Sequence, residues 1–167
     1  MVTLRPWREA DIPAIAEACQ DPDIARWTAV PSPYTEEHAR DFVAHGVPGR
    51  EDDVQFAIVG TGSGELFGSI GFFQPQEGVG EVGYWIAAPA RGRGAAVRAV
   101  RLLVAWALEA RELRRIQIHT LPGNRASERV AEKAGFTREG VLRSYAVMKG
   151  QVTDITMFSL LPGELSR

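Results

Sequence analysis

Apolar and polar residues follow strand spacing at the start of the chain and then change to helix spacing. The run VTLRPW predicts a first strand, and READIPAIAEACQ predicts a helix because its apolar residues recur on one helical face. A proline-rich link, TAVPSPY, leads to TEEHARDFVAHG, which predicts a second helix. Thr35 is a typical N-cap for that helix, and Gly46 is a typical stop.

The middle of the chain changes to short apolar runs separated by turn residues. VQFAIV, ELFGSIGFF and EVGYWIA are divided by GTGSG and PQEGVG, a pattern that predicts an antiparallel three-stranded meander. Helical spacing returns from about Gly94 to Ala110, where the apolar residues form one face of a longer helix.

The last third of the chain predicts a strand, a helix and a hairpin. RRIQIHT is the strand, the helix begins at Asn124 and ends at Gly135, and FTREGVLRSYAV and QVTDITMFSLL form the hairpin. We therefore expect a single α/β domain over residues 1–167. It would have a mixed, mostly antiparallel sheet of about seven strands flanked by about four helices.

Composition narrows the class of protein. The chain has 167 residues, 45% hydrophobic and 24% charged, as in ordinary globular domains, and a net charge of −2 disfavours a dedicated nucleic-acid binder. Its apolar runs are too short to span a bilayer, so no membrane partner is expected. The opening residues lack the apolar core of a signal peptide, and Cys19 is the single cysteine, so we expect a cytoplasmic protein. Three dispersed histidines predict no metal site.

The segment RGRGAA, at the junction between a strand and a helix, is typical of an anion site. Peptide N–H groups at a helix N-terminus attract anions, and glycine lets the ligand approach closely. The segment lacks the lysine and hydroxyl of a Walker loop and the third glycine of a dinucleotide loop. It matches the pattern [QR]xxGx[GA] through Arg91, Gly94 and Ala96. Without the glycines, such an arginine cluster would indicate only a solvated helix face.

With this motif the chain resembles the GNAT superfamily of acetyl-coenzyme A-dependent N-acetyltransferases. Within it, the resemblance is to the branch of Rim-type ribosomal-protein N-terminal acetyltransferases, and it extends over nearly the whole chain. Four segments in the expected order carry it: LRPWREADIPAI, EVGYWIAAPARGRGAAVRAVRLLVAWAL, NRASERVAEKAGF and KGQVTDITMFSLL.

The resemblance implies a GNAT-like fold and a site for acetyl-coenzyme A as co-substrate, without a metal. The pyrophosphate would lie on the loop entering the long helix, with Arg91 and Arg93 adding charge-assisted contacts. The pantetheine arm would lie beside a splayed strand and near Asn124. The expected cofactor-binding residues are Trp85, Ile86, Ala87, Arg91, Gly92, Arg93, Gly94, Ala95, Ala96 and Asn124.

The acceptor amine must lose a proton before it attacks the thioester, which requires a base. Glu81, at the start of EVGYWI, is the residue that the resemblance favours, and the alternative is a solvated glutamate after a turn. His119 on the next strand is a second candidate base or relay, and the alternative for it is a structural or surface histidine.

The leaving thiolate needs a proton or a hydrogen bond. Many members of the family carry a tyrosine where this chain has Ala131, so the resemblance transfers this role to Ser127, with Tyr145 as a second candidate. Asp154 matches the branch's terminal strand without an assigned role.

Four aromatic residues are candidates for the acceptor pocket, although each could belong to the core: Trp27, Tyr34, Tyr84 and Tyr145. The TAVPSPY link is the expected substrate lid. The acceptor implied by the resemblance is a protein or peptide N-terminal amine. The alternatives are a small amine such as an antibiotic, polyamine or amino-acid derivative, or a binding module that senses acetyl-coenzyme A without turnover. The resemblance also implies a homodimer formed through the terminal strand.

Overall fold

The computed structural model describes residues 1–46, 49 and 53–165, which form seven strands and five α-helices. The strands are β1 (Val2–Arg5), β2 (Val54–Gly60), β3 (Leu66–Gln76), β4 (Val79–Ile86), β5 (Arg115–Thr120), β6 (Thr137–Met148) and β7 (Gln151–Leu160). The helices are α1 (Ile12–Ala18), α2 (Pro22–Trp27), α3 (Glu36–His45), α4 (Ala95–Ala110) and α5 (Arg125–Ala134). Short 3-10 turns occupy Glu9–Asp11 and Ala88–Ala90.

One mixed sheet holds all seven strands in the order β1-β2-β3-β4-β5-β7-β6. Each neighbouring pair is antiparallel except β4 and β5, which are parallel. The expected meander is β2-β3-β4, and the expected hairpin is β6-β7.

Helices cover the sheet on both faces. Helices α4 and α5 pack over the main core, whose largest fully buried side chains include Phe72, Leu103 and Phe158. Helices α1 to α3 enclose a second cluster around Ile15, against which Trp85 packs. Trp85 and its neighbour Tyr84 therefore lie on opposite faces of β4, as the alternation of a strand requires.

The sheet splits in its middle. β4 pairs with β5 at three positions, Val79–Arg115, Gly80–Ile116 and Glu81–Gln117. Beyond Glu81, β4 stays paired with β3 and β5 stays paired with β7, so the two parallel strands diverge. The result is a V-shaped gap that opens toward the C-terminal ends of both strands.

Two features differ from the expectations. The link before α3 contains the six-residue helix α2, so five helices are present where about four were expected. In addition, β6 is bulged where its pairing with β7 shifts between Leu142 and Ala146, and Ser144 has a φ of +51°. No helix among the described residues is long and apolar enough to cross a bilayer.

Candidate active site

The loop between β4 and α4 has the backbone of an anion site. Gly92 and Gly94 have φ values of +75° and +72°, which glycine adopts without steric cost. α4 begins at Ala95 directly after them. The first N–H groups of this 16-residue helix have no acceptor within the helix and lie at the positive end of its dipole.

The arginines of the loop have different partners. The guanidinium of Arg91 lies 2.8 Å from Asp21 and 3.5 Å from Asp23 at the start of α2, and its Nε donates to the Ile86 carbonyl at 3.1 Å. Arg91 thus has carboxylate partners in this structure, and its expected contact with phosphate stays a prediction. Arg93 lies in the loop and stays a predicted phosphate contact.

A second arginine joins Arg93 near the entrance of α4. The Arg98 guanidinium donates to the Arg93 carbonyl at 2.6 Å and lies close to Gly94. Arg93 and Arg98 line a cavity of about 280 Å³ together with residues of the β2–β3 turn. Arg98 was missed because its spacing from the motif indicated only an exposed helix residue.

The backbone N–H and C=O groups of β4 along the gap point alternately to β3 and into the opening. The Ala87 N–H donates to the Phe67 carbonyl at 2.9 Å, so Ala87 is not free to bind a ligand, contrary to expectation. Backbone groups alternate in direction along an antiparallel strand. Those of Trp85 therefore also point to β3, whereas those of Tyr84 and Ile86 point into the gap.

Glu81 stands at the vertex of the gap in a small polar cluster. Gln117 on β5 donates from Nε2 to Glu81 Oε2 at 3.2 Å, and His119 Nδ1 lies 3.5 Å from Glu81 Oε1. Tyr145 from β6 packs its ring perpendicular to the imidazole, with ring centroids 5.6 Å apart. The structure thus brings together three residues that the sequence singled out, and it adds Gln117. The only signal for Gln117 was its position two residues before His119, on the same face of the strand.

The surroundings of the His119 imidazole lower its pKa. Its Nε2 is buried and has no hydrogen-bond partner among the described residues. Burial is the main cause that lowers the pKa of His119 below its ordinary value, and Arg115 lowers it further, while Glu81 opposes the shift. His119 is therefore mainly neutral at pH 7.

Beside this cluster lies an open cleft on the face that carries Glu81. The cleft has a volume of about 340 Å³, and Gln117 forms part of its wall. Its polar wall also carries an ion pair in which the Arg115 guanidinium lies 2.8 Å from Glu139. Leu142 and Met157 supply apolar surface.

Tyr84 and Ser127 meet on the opposite face of the sheet. The Tyr84 hydroxyl lies 2.8 Å from Ser127 Oγ, so the pair connects β4 to the first turn of α5 across the gap. Burial raises the pKa of Tyr84 to about 12. Asn124 caps α5, with its Oδ1 accepting a hydrogen bond from the Ser127 N–H at 3.2 Å. Tyr84 was expected in the acceptor pocket, and the structure places it with the candidate thiolate donor instead.

The remaining aromatic candidates, Tyr34 and Trp27, belong to the region of α1 to α3. Tyr34 is 8% exposed and belongs to the core beneath α1 to α3, which corrects its assignment to the acceptor pocket. Trp27, at the end of α2, lies under the Arg26 guanidinium at 4.6 Å. The ammonium of Lys149, at the tip of the β6–β7 hairpin, donates to the Ala25 carbonyl and so joins the hairpin to α2.

Asp154 has a structural role that the sequence could not assign. Its Oδ1 accepts a hydrogen bond from the Ser144 N–H at 2.8 Å, within the bulge of β6. The next residue is Tyr145, so Asp154 stabilises the backbone that carries the ring to His119. No group of three or more metal-ligating side chains occurs in the part of the chain that the structure describes.

Comparison with known proteins identifies the family. The sequence model of the acetyltransferase (GNAT) domain matches residues 1–137. This chain belongs to the GNAT acetyltransferase family. It is an acetyl-coenzyme A-dependent N-acetyltransferase of the GNAT type, as the sequence motifs predicted.

Curated relatives cover the chain to different extents. An uncharacterized N-acetyltransferase p20 of Bacillus licheniformis is 29% identical over 170 residues, which cover 98% of this chain and 94% of that protein. A ribosomal-protein-serine acetyltransferase of Escherichia coli is 30% identical over 97 residues, 57% of this chain and 54% of its own length.

Solved structures share the fold. A GNAT-family acetyltransferase from Bacillus anthracis has a TM-score of 0.84 at 25% identity, covering 96% of this chain and 94% of that one. RimL, described as a ribosomal L7/L12 alpha-N-protein acetyltransferase in complex with coenzyme A, has a TM-score of 0.82 at 21% identity, covering 96% and 93%. The spermidine N-acetyltransferase of Vibrio cholerae, in complex with coenzyme A and spermine, has a TM-score of 0.80 at 17% identity, covering 98% and 97%.

Proposed function

We propose that this N-acetyltransferase moves the acetyl group of acetyl-coenzyme A directly to a protein or peptide N-terminal amine within a ternary complex. The observation that carries the proposal is the polar cluster at the vertex of the split sheet. In that cluster the Glu81 carboxylate lies at the point where β4 and β5 begin to diverge, in contact with Gln117, which also lines an open cleft. In this proposal Glu81 receives the proton of the acceptor, and Ser127 donates to the leaving thiolate.

The coenzyme would bind along the gap and the following loop. The N–H groups of residues 92–96 offer a positive helix end to the pyrophosphate, and Arg93 and Arg98 add charge beside it. The gap-facing backbone of Tyr84 and the N–H of Ile86 are offered to the pantetheine amides, whereas the Ile86 carbonyl already accepts from Arg91. A gap-facing N–H can also polarise the thioester carbonyl and stabilise the oxyanion that forms during attack.

The choice of acceptor rests on relatives and on proton chemistry. The relative from Escherichia coli and the structural neighbour RimL are both named for ribosomal-protein acetylation. An α-amine with a pKa of about 7.7–8.0 is roughly 10–15% neutral at pH 7, whereas a lysine amine is only about 0.04% neutral. A single proton acceptor at Glu81 suits the first of these better. The presence of both Glu81 and Ser127 counts against a module that binds acetyl-coenzyme A without turnover.

Cys19 is the single cysteine of the chain, so no internal disulfide can form, which agrees with a reducing environment. The thiol side chain is 3% exposed, and burial raises its pKa to about 12, so it is protected as a thiol and not placed for a disulfide. We infer that the protein acts in the cytoplasm, which fractionation of the producing cell would test.

The experiment is coenzyme A release from acetyl-coenzyme A with a panel of amines. The panel contains short peptides with free N-termini, the same peptides with blocked N-termini and one lysine, polyamines and aminoglycosides. We expect turnover with the free N-terminal peptides. Glu81→Gln should lower kcat by about 100-fold, since general base catalysis is typically worth that much, without changing acetyl-coenzyme A affinity.

Gly94→Glu serves as the cofactor control in the same assay. A side chain at a φ of +72° strains the loop, and its negative charge opposes the pyrophosphate, so this variant should lose acetyl-coenzyme A binding itself. Turnover with a polyamine or an aminoglycoside, and none with peptides, would replace the proposed acceptor class. Tight binding of acetyl-coenzyme A without turnover of any amine would contradict the proposed function.

A further inference from the structure

We propose that His119 is the group that contacts the acceptor amine and removes its proton, with Glu81 orienting the imidazole and stabilising the imidazolium that forms. This inference deepens the proposed function and rests on it. It assigns a catalytic role to His119 and changes the role of Glu81 from a base that touches substrate to a positioning residue that acts through its neighbour.

The hydrogen-bond partners of the cluster point to the imidazole. Glu81 Oε2 accepts from Gln117, and Glu81 Oε1 faces His119 Nδ1. Each carboxylate oxygen is therefore already next to a side chain of the protein. His119 Nε2 is the atom of the cluster that is buried without a partner. A buried polar atom without a partner is costly, and it is retained most readily where a ligand completes it.

The same contacts determine where the proton of the neutral ring resides. A proton on Nδ1 faces the Glu81 carboxylate, whereas a proton on Nε2 would be a buried donor without an acceptor. The favoured tautomer therefore carries its hydrogen on Nδ1 and presents a lone pair at Nε2, as a general base requires.

Residues on the packed strands keep the ring neutral and fixed. Glu81 faces it from β4, Arg115 acts from the same strand β5, and Tyr145 covers its side from β6. Met157 is its partner across β7 and carries no charge. The pKa of His119 is lowered, so its basic form predominates above the ordinary imidazole value of 6.5 and is lost as the pH falls through the lower folded value.

The proton transfer balances without a further reactant. An acceptor ammonium gives a proton to His119 Nε2 and becomes the neutral nucleophile. The Nδ1 proton stays on the ring, and the Glu81 carboxylate stabilises the imidazolium that forms. The amine nitrogen then attacks the thioester carbon, and the C–S bond breaks as the thiolate departs. The new amide nitrogen loses its surplus proton to water, and the imidazolium releases its Nε2 proton to water, which restores the neutral ring with its hydrogen on Nδ1.

The test compares His119→Gln, Glu81→Gln and the double variant, using the peptide acceptor identified in the panel and acetyl-coenzyme A. His45→Gln is the matched control, because His45 is exposed at the end of α3, away from the cluster. We expect His119→Gln to lower kcat by about 100-fold. The Kd for acetyl-coenzyme A should stay unchanged, which shows that the fold is intact. His45→Gln should retain wild-type kcat.

Three further readouts separate catalysis from a structural role. Because the two residues act as one unit, the double variant should be no slower than the slower single variant. Free imidazole should restore turnover to His119→Ala by occupying the vacated space. In the wild type, the acid limb of kcat against pH should show a pKa below 6.5, and that limb should be absent from His119→Gln.

The opposing results are equally specific. A loss of less than about threefold in His119→Gln, together with a large loss in Glu81→Gln, overturns this inference and leaves the proposed function intact. Losses that multiply in the double variant, or a His119→Ala variant that imidazole does not restore, also overturn it. Absence of turnover by the wild type would instead contradict the proposed function on which the inference rests.

Discussion

At the scale of single residues, the thiolate side of the site differs from the pattern common in the family. Ala131 is fully buried, so a tyrosine in its place would overfill the core beneath α5. A tyrosine hydroxyl nevertheless reaches the first turn of this helix, because Tyr84 extends from β4 to Ser127. With a pKa of about 12, Tyr84 stays protonated and can fix the direction of the Ser127 hydroxyl.

The prediction at this scale concerns Ser127→Ala. The Asn124 cap and the Ser127 N–H are both retained in this variant, so α5 should remain folded. Loss of one hydrogen bond to the departing thiolate should cost about 1.4 kcal/mol, or roughly tenfold in kcat. Steady-state kinetics with acetyl-coenzyme A measure it, with Glu132→Ala, exposed on the same helix, as the control. Equal kcat values in both variants would remove Ser127 from the mechanism.

Single residues were predictable where strand alternation alone decides their direction. Glu81, Gln117 and His119 share a face because they lie at alternate positions of two neighbouring strands. The partners of Arg91 were not predictable, since Asp21 belongs to a helix about 70 positions earlier that only tertiary packing brings to the loop. Tyr34 was misjudged for the same reason.

At the scale of elements, the cofactor gap depends on how closely β3 approaches β4. A Cβ at Gly68 would lie 2.1 Å from the Trp85 carbonyl oxygen, so only glycine permits this pairing beside the splayed segment. The pairing in turn directs the backbone of Ile86 into the gap. Gly68 on β3 thus determines which backbone groups of β4 line the proposed pantetheine site.

Gly68→Ala should therefore displace the end of β4 and weaken acetyl-coenzyme A binding by at least about tenfold, because gap-facing hydrogen bonds worth about 1 kcal/mol each are misdirected. Calorimetric titration gives the Kd. Gly62→Ala is the control, since Gly62 has a φ of +90° but no atoms near its would-be Cβ. That variant should lose about 1–2 kcal/mol of stability from backbone strain alone and keep its affinity. Wild-type affinity in Gly68→Ala would show that the gap does not depend on this contact.

Elements with long, regular patterns were predicted almost to their ends. α4, α5 and the meander have clear periodicity and glycine or asparagine boundaries. α2 was missed because six residues contain fewer than two helical turns, although Asp21 followed by Pro22 is a standard helix start. The β6 bulge was missed because its cause, the Asp154–Ser144 hydrogen bond, joins two different strands.

At the scale of the whole molecule, the outer strand β6 leaves one side of the sheet open. It is the last strand in the sheet order, so one row of its backbone groups has no neighbouring strand within the described chain. Tyr145 is 55% exposed, Val147 is 72% exposed, and Val152 on the adjacent β7 is 65% exposed. An apolar edge of this kind favours pairing with another chain.

We propose that two copies associate through this edge. Light scattering during size-exclusion chromatography should give about twice the chain mass of 18.3 kDa. Val147→Lys should shift the protein to the monomer, because a lysine on an edge strand opposes strand pairing. Leu161→Lys is the control, since Leu161 is 43% exposed but lies beyond β7. A wild-type monomer, or a dimer that survives Val147→Lys, would exclude this edge as the interface.

The split between β4 and β5 also has a consequence for how the molecule resists unfolding. Three paired positions join one antiparallel half, β1 to β4, to the other, β5 to β7. Each half has its own continuous ladder, so this seam has the fewest paired positions of any two neighbouring strands, and residues of α4 and α5 pack in the core beneath it. A co-substrate lying in that seam would serve as a temporary strand. The sheet would then resist unfolding best while acetyl-coenzyme A is bound in the gap.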